Sequence, residues 1–321
     1  MISKLDFQYK QILIYYPYAG DKISYKNDNI VIRDKDNKIK YQSTCYRLFA
    51  LFVVGDTTIT TGLIRRSKKF GFSICLFSAG MKLYEVIGSK MEGNTLLRKK
   101  QYDYNDLIIG QKIVANKIQN QIAALNQIRN KSIITKKSIY YLKENLKSIE
   151  SNELELLTIL GIEGNASKIY FREIFDDVDW IGRKPRIKCD YINSTLDIGY
   201  TILFNVIDAI TNIYGFDTYY GVLHRCFYMR KSLICDLMEP LRPLIDYCVR
   251  KGINLDKIKE DDFERIGNRV VLKWKESSKY TSMFMGEILK HKEEIFLYIQ
   301  GYYRKFMKGV LENDFPTIRI W

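Results

Sequence analysis

Near residue 95 the hydrophobic period of the chain changes from that of strands to that of helices, and this limits the possible folds more than any other feature. Before the change, the short β-rich runs QILIYY, NIVIR, KIKYQ, TTITT and FSICLF stand between polar or glycine-containing turns. NIVIRDKDNKIKYQ predicts a hairpin with Asp34 to Asn37 in the reversal. LIRRSKKFG predicts one short helix ending at Gly71, a residue suited to a left-handed cap. After the basic stretch MEGNTLLRKKQY, residues Val114, Ile118, Ile122 and Leu125 fall at helical spacing on one face. From there onward the pattern is almost wholly helical. SNELELLTILG carries Ser151 or Asn152 as an N-cap and Gly161 as a stop, with a second helix through NASKIYFREIF. A long buried helix is expected through TLDIGYTILFNVIDAITNIYG, and one bent at Pro240 and Pro243 through SLICDLMEPLRPLIDYCVRKG. The expected class is α+β: a small N-terminal β domain, residues 1–95, followed by a larger all-α domain, residues 96–321.

Composition narrows the function. An apolar content of 46% with 13% aromatics supplies a sizeable core and excludes general disorder. The formal net charge of +14 calls for a polyanionic partner, nucleic acid or an anionic membrane surface. The N-terminus MISKLDFQYK lacks the apolar core of a signal peptide, and no apolar run reaches the length needed to span a bilayer. Cys45, Cys75, Cys189, Cys226, Cys235 and Cys248 form no CxxC pair, which suits reduced core thiols in a cytoplasmic protein.

A protein that merely binds nucleic acid has no need of clustered carboxylates, because anions weaken phosphate attraction. Three segments therefore stand out. Glu163 sits between Gly161 and Gly164 just ahead of a predicted helix, where an acid favoured by the helix dipole is the simplest reading. His224 ends GVLH and is one of only two histidines; the other, His291, lies in the charged run LKHKEE and reads as a surface residue. Asp236 and Glu239 share a helix face at i,i+3 spacing, and if they turn inward they need a cation. Carboxylates suit Mg²⁺ or Mn²⁺, and one imidazole tilts the choice towards Mn²⁺. A Glu, a His and an acidic pair in a strongly basic chain match the needs of metal-assisted phosphodiester chemistry.

The ordered strings GDTTITTGLI, FGFSICLF, EGNASKIYF, PRIKCDYINSTLDIGYTILFN, GFDTYYGVLH and SLICDLMEPLRP resemble the CRISPR-associated integrase of the adaptation machinery, a metal-dependent DNA endonuclease. The likeness runs from about residue 30 to residue 245, and the last 70 residues fit more loosely. It implies a β domain, an α domain carrying the site, and a homodimer built largely through the N-terminal half. It implies Glu163, His224 and Glu239 as catalytic metal ligands, with Asp236 as a further ligand or an outer group, and Mg²⁺ or Mn²⁺ as the cofactor. Tyr200 falls where the family carries an aromatic near the DNA, with ordinary helix packing as its alternative. The implied reaction is attack of a DNA 3′-hydroxyl on a phosphodiester of the repeat array, inserting a spacer. Implied partners are double-stranded DNA and a small ferredoxin-like CRISPR-associated protein, with no membrane.

Among the basic clusters, Arg183, Arg186, Arg225, Arg230 and Lys231 lie nearest the acidic segments and are the expected phosphate contacts. Two other readings compete. A non-catalytic DNA-binding scaffold would use the same basic surfaces, and a peripheral membrane protein would need an amphipathic helix, for which only YYRKFMKGVL qualifies.

Overall fold

A computed structural model of the chain describes residues 8–78, 83–88, 93–151, 153–185, 187–224, 228–309 and 315–321. The chain divides into two units, residues 1–95 with 208–216, and residues 96–207 with 217–321.

The first unit carries strands β1 (Gln11–Tyr15), β2 (Lys22–Lys26), β3 (Asn29–Arg33), β4 (Ile39–Thr44), β5 (Leu48–Val54) and β6 (Thr58–Ile59). Helix α1 (Thr61–Phe70) and strands β7 (Ser73–Phe77) and β8 (Leu83–Gly88) follow. One sheet has the order β1-β5-β7-β8, parallel except for the last pair; the other has the order β4-β3-β2-β6. A single apolar cluster draws Ile23, Ile30 and Ile32 from one sheet, Leu51, Val53 and Ile74 from the other, and Leu63 from α1. All five predicted β runs form strands. The expected reversal is an Asx turn, in which Asp34 Oδ1 accepts from the backbone of Asp36 and Lys38 at 2.9 Å. Gly71 caps α1 at φ +71°, as its position before FSICLF predicts.

Strands β2, β5 and β8 lie outside those five runs. The omission of β5, LFALFVV, has a clear cause. It is the central parallel strand, all seven residues are buried, and it shows no alternation to read.

The second unit is built from α2 (Thr95–Asp103), α3 (Ile108–Asn126), α4 (Ile133–Glu150), α5 (Leu156–Ile174), α6 (Tyr191–Asn212), α7 (Ser232–Met238), α8 (Arg242–Asn254), α9 (Ser277–Lys290) and α10 (Lys292–Lys308). α2 begins and α6 ends on residues grouped with the first unit. The helical run is interrupted by a hairpin of β9 (Phe263–Ile266) and β10 (Arg269–Leu272), which the helical pattern did not predict. Val114, Ile118, Ile122 and Leu125 of α3 are all buried, as expected from their spacing. The predicted bend at the prolines is a 3-10 turn, Glu239–Leu241, between α7 and α8.

The predicted stop at Gly161 is wrong. α5 runs unbroken through Gly161 and Gly164, with Glu155 at its N-cap, so Ser151 does not cap it, and Asn152 lies outside the described residues. Glycine ends a helix readily when it turns left-handed, whereas on an exposed helical surface it only weakens the helix by about 1 kcal/mol. Burial of Ile159, Ala166, Tyr170 and Ile174 carries the helix across. Glu163 is therefore a mid-helix residue, not the N-terminal acid that its glycine-flanked position suggests.

Candidate active site

Helix α3 is apolar in pattern, yet it buries Asn116, Lys117, Asn120 and Gln121. Asn120 Nδ2 donates to the carbonyl of Pro240 at 2.7 Å, which holds the 3-10 turn bearing Glu239 against α3. One helical turn earlier, the Lys117 ammonium pairs with Glu163 Oε1 from α5 and lies 2.8 Å from Glu239 Oε2. Arg242, the first residue of α8, reaches Glu239 Oε1 at 3.1 Å. The structure thus joins two of the predicted residues, Glu163 and Glu239, around a lysine to which no sequence argument pointed. The buried polar stripe on α3 was the available signal.

The charge states follow from this packing. Burial alone would push the Glu239 carboxyl up, but the Arg242 guanidinium and the Lys117 ammonium outweigh it and hold the group down at about 2. Burial likewise opposes the charge on Lys117, and Glu239 and Glu163 overcome it, so its pKa lies above the ordinary lysine value. Glu239 Oε2 is buried and makes no well-directed hydrogen bond, despite the nearby ammonium.

Asp236 behaves differently from Glu239 because the helix ends between them. Fully buried on α7, it accepts from the backbone N–H groups of Val222 at 2.6 Å, Leu223 at 3.0 Å and His224 at 3.0 Å. Its Oδ1 also lies 2.5 Å from His224 Nδ1. One carboxylate therefore fixes both the loop and the imidazole, leaving Nε2 as the ring nitrogen that Asp236 does not use. Gly221 permits the approach: a Cβ there would fall 2.6 Å from Asp236 Oδ2 and 2.8 Å from the His224 carbonyl oxygen.

Beside Glu163 opens a cavity of about 600 Å³, whose wall includes Lys117, Lys168, Arg172, Arg183, Lys184 and Arg242 together with Phe171, Phe175, Trp180, Tyr200 and Asp246. Tyr200 is 7% exposed. Its hydroxyl donates to Asp246, and the guanidiniums of Arg183 and Arg242 lie 5.4 and 5.0 Å from its ring centroid. Arg183 is tied to Asp197 at 2.6 Å and to Asn193 at 2.9 Å while still facing the cavity. Burial pushes the Asp246 carboxyl up to about 7, although Tyr200, Arg183 and Arg242 pull it down. Arg230 donates to Ser232 Oγ at 3.3 Å, and Lys231 is the half-buried residue at the start of α7. Arg186 and Arg225 lie outside the described residues.

Among the described residues, no three His, Cys, Asp or Glu side chains stand together as ready metal ligands. The donor set still fits a hard divalent cation. Two carboxylates already converge on one ammonium, and Asp236 orients the His224 imidazole. The tempting C-terminal stretch YYRKFMKGVL lies mostly in α10, which buries Phe296, Ile299, Tyr302 and Phe306. No described helix is long and apolar enough to cross a membrane.

A family model described as CRISPR associated protein Cas1 matches residues 14–285. A curated relative, CRISPR-associated endonuclease Cas1 1 of Thermodesulfovibrio yellowstonii, is 28% identical over 239 residues, covering 70% of this chain and 72% of its own. The fold is that of a chain in a Cas6-RT-Cas1--Cas2 complex, at TM-score 0.76 and 21% identity, over 98% of this chain but 36% of that one. It is equally close to a casposase bound to integration product, at TM-score 0.75 and 20% identity, covering 97% and 95% of the two chains.

Proposed function

Because this chain belongs to the CRISPR associated protein Cas1 family, we propose that it is a metal-dependent DNA endonuclease and integrase that inserts spacer DNA into a CRISPR repeat array. The observation that carries this reading is the pair of carboxylates, Glu163 and Glu239, gathered around one cation at the edge of a basic, aromatic-walled cavity. A scaffold that only held DNA would gain nothing from buried acids beside its phosphates.

Glu163, His224 and Glu239 are the residues to hold Mg²⁺ or Mn²⁺, and Asp236 is the group that orients His224. When bound, the ion supplies charge stabilisation for the attacked phosphate and its leaving oxygen. The protein contributes the rest. Arg242 and Lys117 keep Glu239 ionised, and the hydrogen bond to Asp236 fixes the rotation of the His224 ring. Arg183, Lys184 and Arg172 supply positive charge along the cavity for the DNA backbone, and Phe171 and Trp180 supply surface for an unstacked base. Arg230 and Lys231, with Arg186 and Arg225, extend the expected phosphate track, and Tyr200 closes the cavity wall. The chemistry is attack by a DNA 3′-hydroxyl on a phosphodiester, in which one ester bond forms as another breaks, without a covalent protein intermediate.

Joining both ends of a spacer needs two such sites at a fixed separation, which a homodimer provides. A small ferredoxin-like protein and double-stranded DNA complete the proposed assembly; a Cas6-RT-Cas1--Cas2 complex and a casposase bound to integration product, both similar in fold, support a protein partner and a nucleic-acid product in general terms. The test is integration of a short duplex into a repeat-bearing plasmid by the purified protein, alone and with its small partner. Strand transfer that needs Mg²⁺ or Mn²⁺ supports the reading. Salt-sensitive DNA binding with no product under any metal would establish the scaffold instead.

A further inference from the structure

Glu163 and Glu239 come from different helices and are held together by a single ammonium. The Lys117 side chain is only 7% exposed, pairs with Glu163, and lies 2.8 Å from Glu239, whose other oxygen meets Arg242 at 3.1 Å. Two carboxylates therefore face two cations, and this cluster is neutral before any other ion arrives. A divalent cation entering between the carboxylates meets the Lys117 charge at close range in a desolvated site, where like charges repel strongly. It also leaves the cluster with excess positive charge, which is costly in a buried place unless an anion comes with it. DNA brings that anion. Lys117 also lines the cavity beside Glu163, and its flexible stem allows the ammonium to turn from the carboxylates to a phosphate oxygen there.

We infer that Lys117 makes metal loading conditional on DNA: it occupies the cation position between Glu163 and Glu239 in the free protein and gives it up when a DNA phosphate enters the cavity. The inference rests on the metal-site reading above. By linkage, the factor by which DNA tightens metal binding equals the factor by which metal tightens DNA binding.

The test is a Mn²⁺ titration of the full chain, following the electron paramagnetic resonance signal of the free ion. It is run with and without a duplex ending in 3′-dideoxynucleotides, so that no strand transfer intervenes. In the wild type, DNA should tighten Mn²⁺ binding by about tenfold or more. Lys117→Met should bind Mn²⁺ about tenfold tighter than wild type without DNA, and gain little when DNA is added. Lys117→Arg, which keeps the charge, should retain the weak DNA-free binding. Circular dichroism melting checks that the variants fold, and Lys117→Gln replaces Lys117→Met if the latter does not. Equal Mn²⁺ affinity in the wild type and the neutral variant, with the same gain from DNA, overturns the inference. Failure of the metal-site reading looks different: Glu163→Gln and Glu239→Gln would then bind Mn²⁺ as well as wild type in the presence of DNA, and the Lys117 inference falls with it.

Discussion

Asp236 and Glu239 are three residues apart and do different work. At i,i+3 spacing a continuous helix would put both on one face, so the sequence left open which of them would be the direct ligand of the proposed metal. The structure separates them because α7 ends at Met238, and the 3-10 turn carries Glu239 toward Lys117 while Asp236 stays with the His224 loop. Asp236→Asn puts an amide nitrogen against backbone donors, so it should loosen the Val222–His224 loop and lower metal affinity by about 10- to 100-fold, read by the same Mn²⁺ titration in the presence of DNA. Binding as tight as wild type would show that the imidazole needs no such support. Asp246 offers a test through pH. Its carboxyl is held protonated up to about 7 in the fold, above its ordinary value near 4 in the unfolded chain. Its contribution to stability is therefore complete below about pH 4 and is lost as the pH rises to about 7. The melting temperature of the wild type should fall relative to Asp246→Asn between about pH 4 and about pH 7. A pH-independent difference would contradict the assignment. Lys117, Arg242 and Asp246 were hard to single out beforehand because a lone charge on an apolar helix face shows its partners only once the helices pack.

Elements were legible where turn residues or apolar spacing marked them. β3 and β4 flank the Asp34 to Asn37 reversal and α3 repeats apolar residues at helical spacing, whereas the fully buried β5 shows no alternation to read. Glycine misled in α5. Gly161 and Gly164 are exposed, and a Cβ added at either meets nothing within 4 Å. Gly161→Ala and Gly164→Ala should each stabilise the protein by about 0.5–1 kcal/mol in thermal or denaturant melts. A loss of stability would mean that these positions do not have the helical geometry described. Gly199 in α6 is the opposite case, since a Cβ there would lie 2.5 Å from Ile245 Cγ2 and 2.7 Å from Phe284 Cε1. Gly199→Ala should cost about 1–3 kcal/mol, because α8 and α9 must move to admit it. Wild-type stability in this variant would contradict the packing of α6 against those helices.

At the scale of the whole molecule, the charge of +14 and the few acids of the candidate site form one design. In the proposed function the surplus holds DNA, and Glu163, Glu239 and Asp236 are the exceptions gathered where chemistry is proposed. Charge alone placed the chain among binders of polyanions; the ordered motifs around those exceptions carried the family, and the family model bears that out over residues 14–285. What the sequence could not show was the cation already seated between the acids, since that depends on three helices meeting. The most direct measurement is therefore strand transfer by Glu163→Gln and Glu239→Gln beside the wild type, at saturating Mn²⁺ and at DNA concentrations where all three are fully bound. A loss of about 100-fold or more in rate with DNA binding retained is the predicted result. Wild-type rates in either variant would contradict the metal site at the centre of this account.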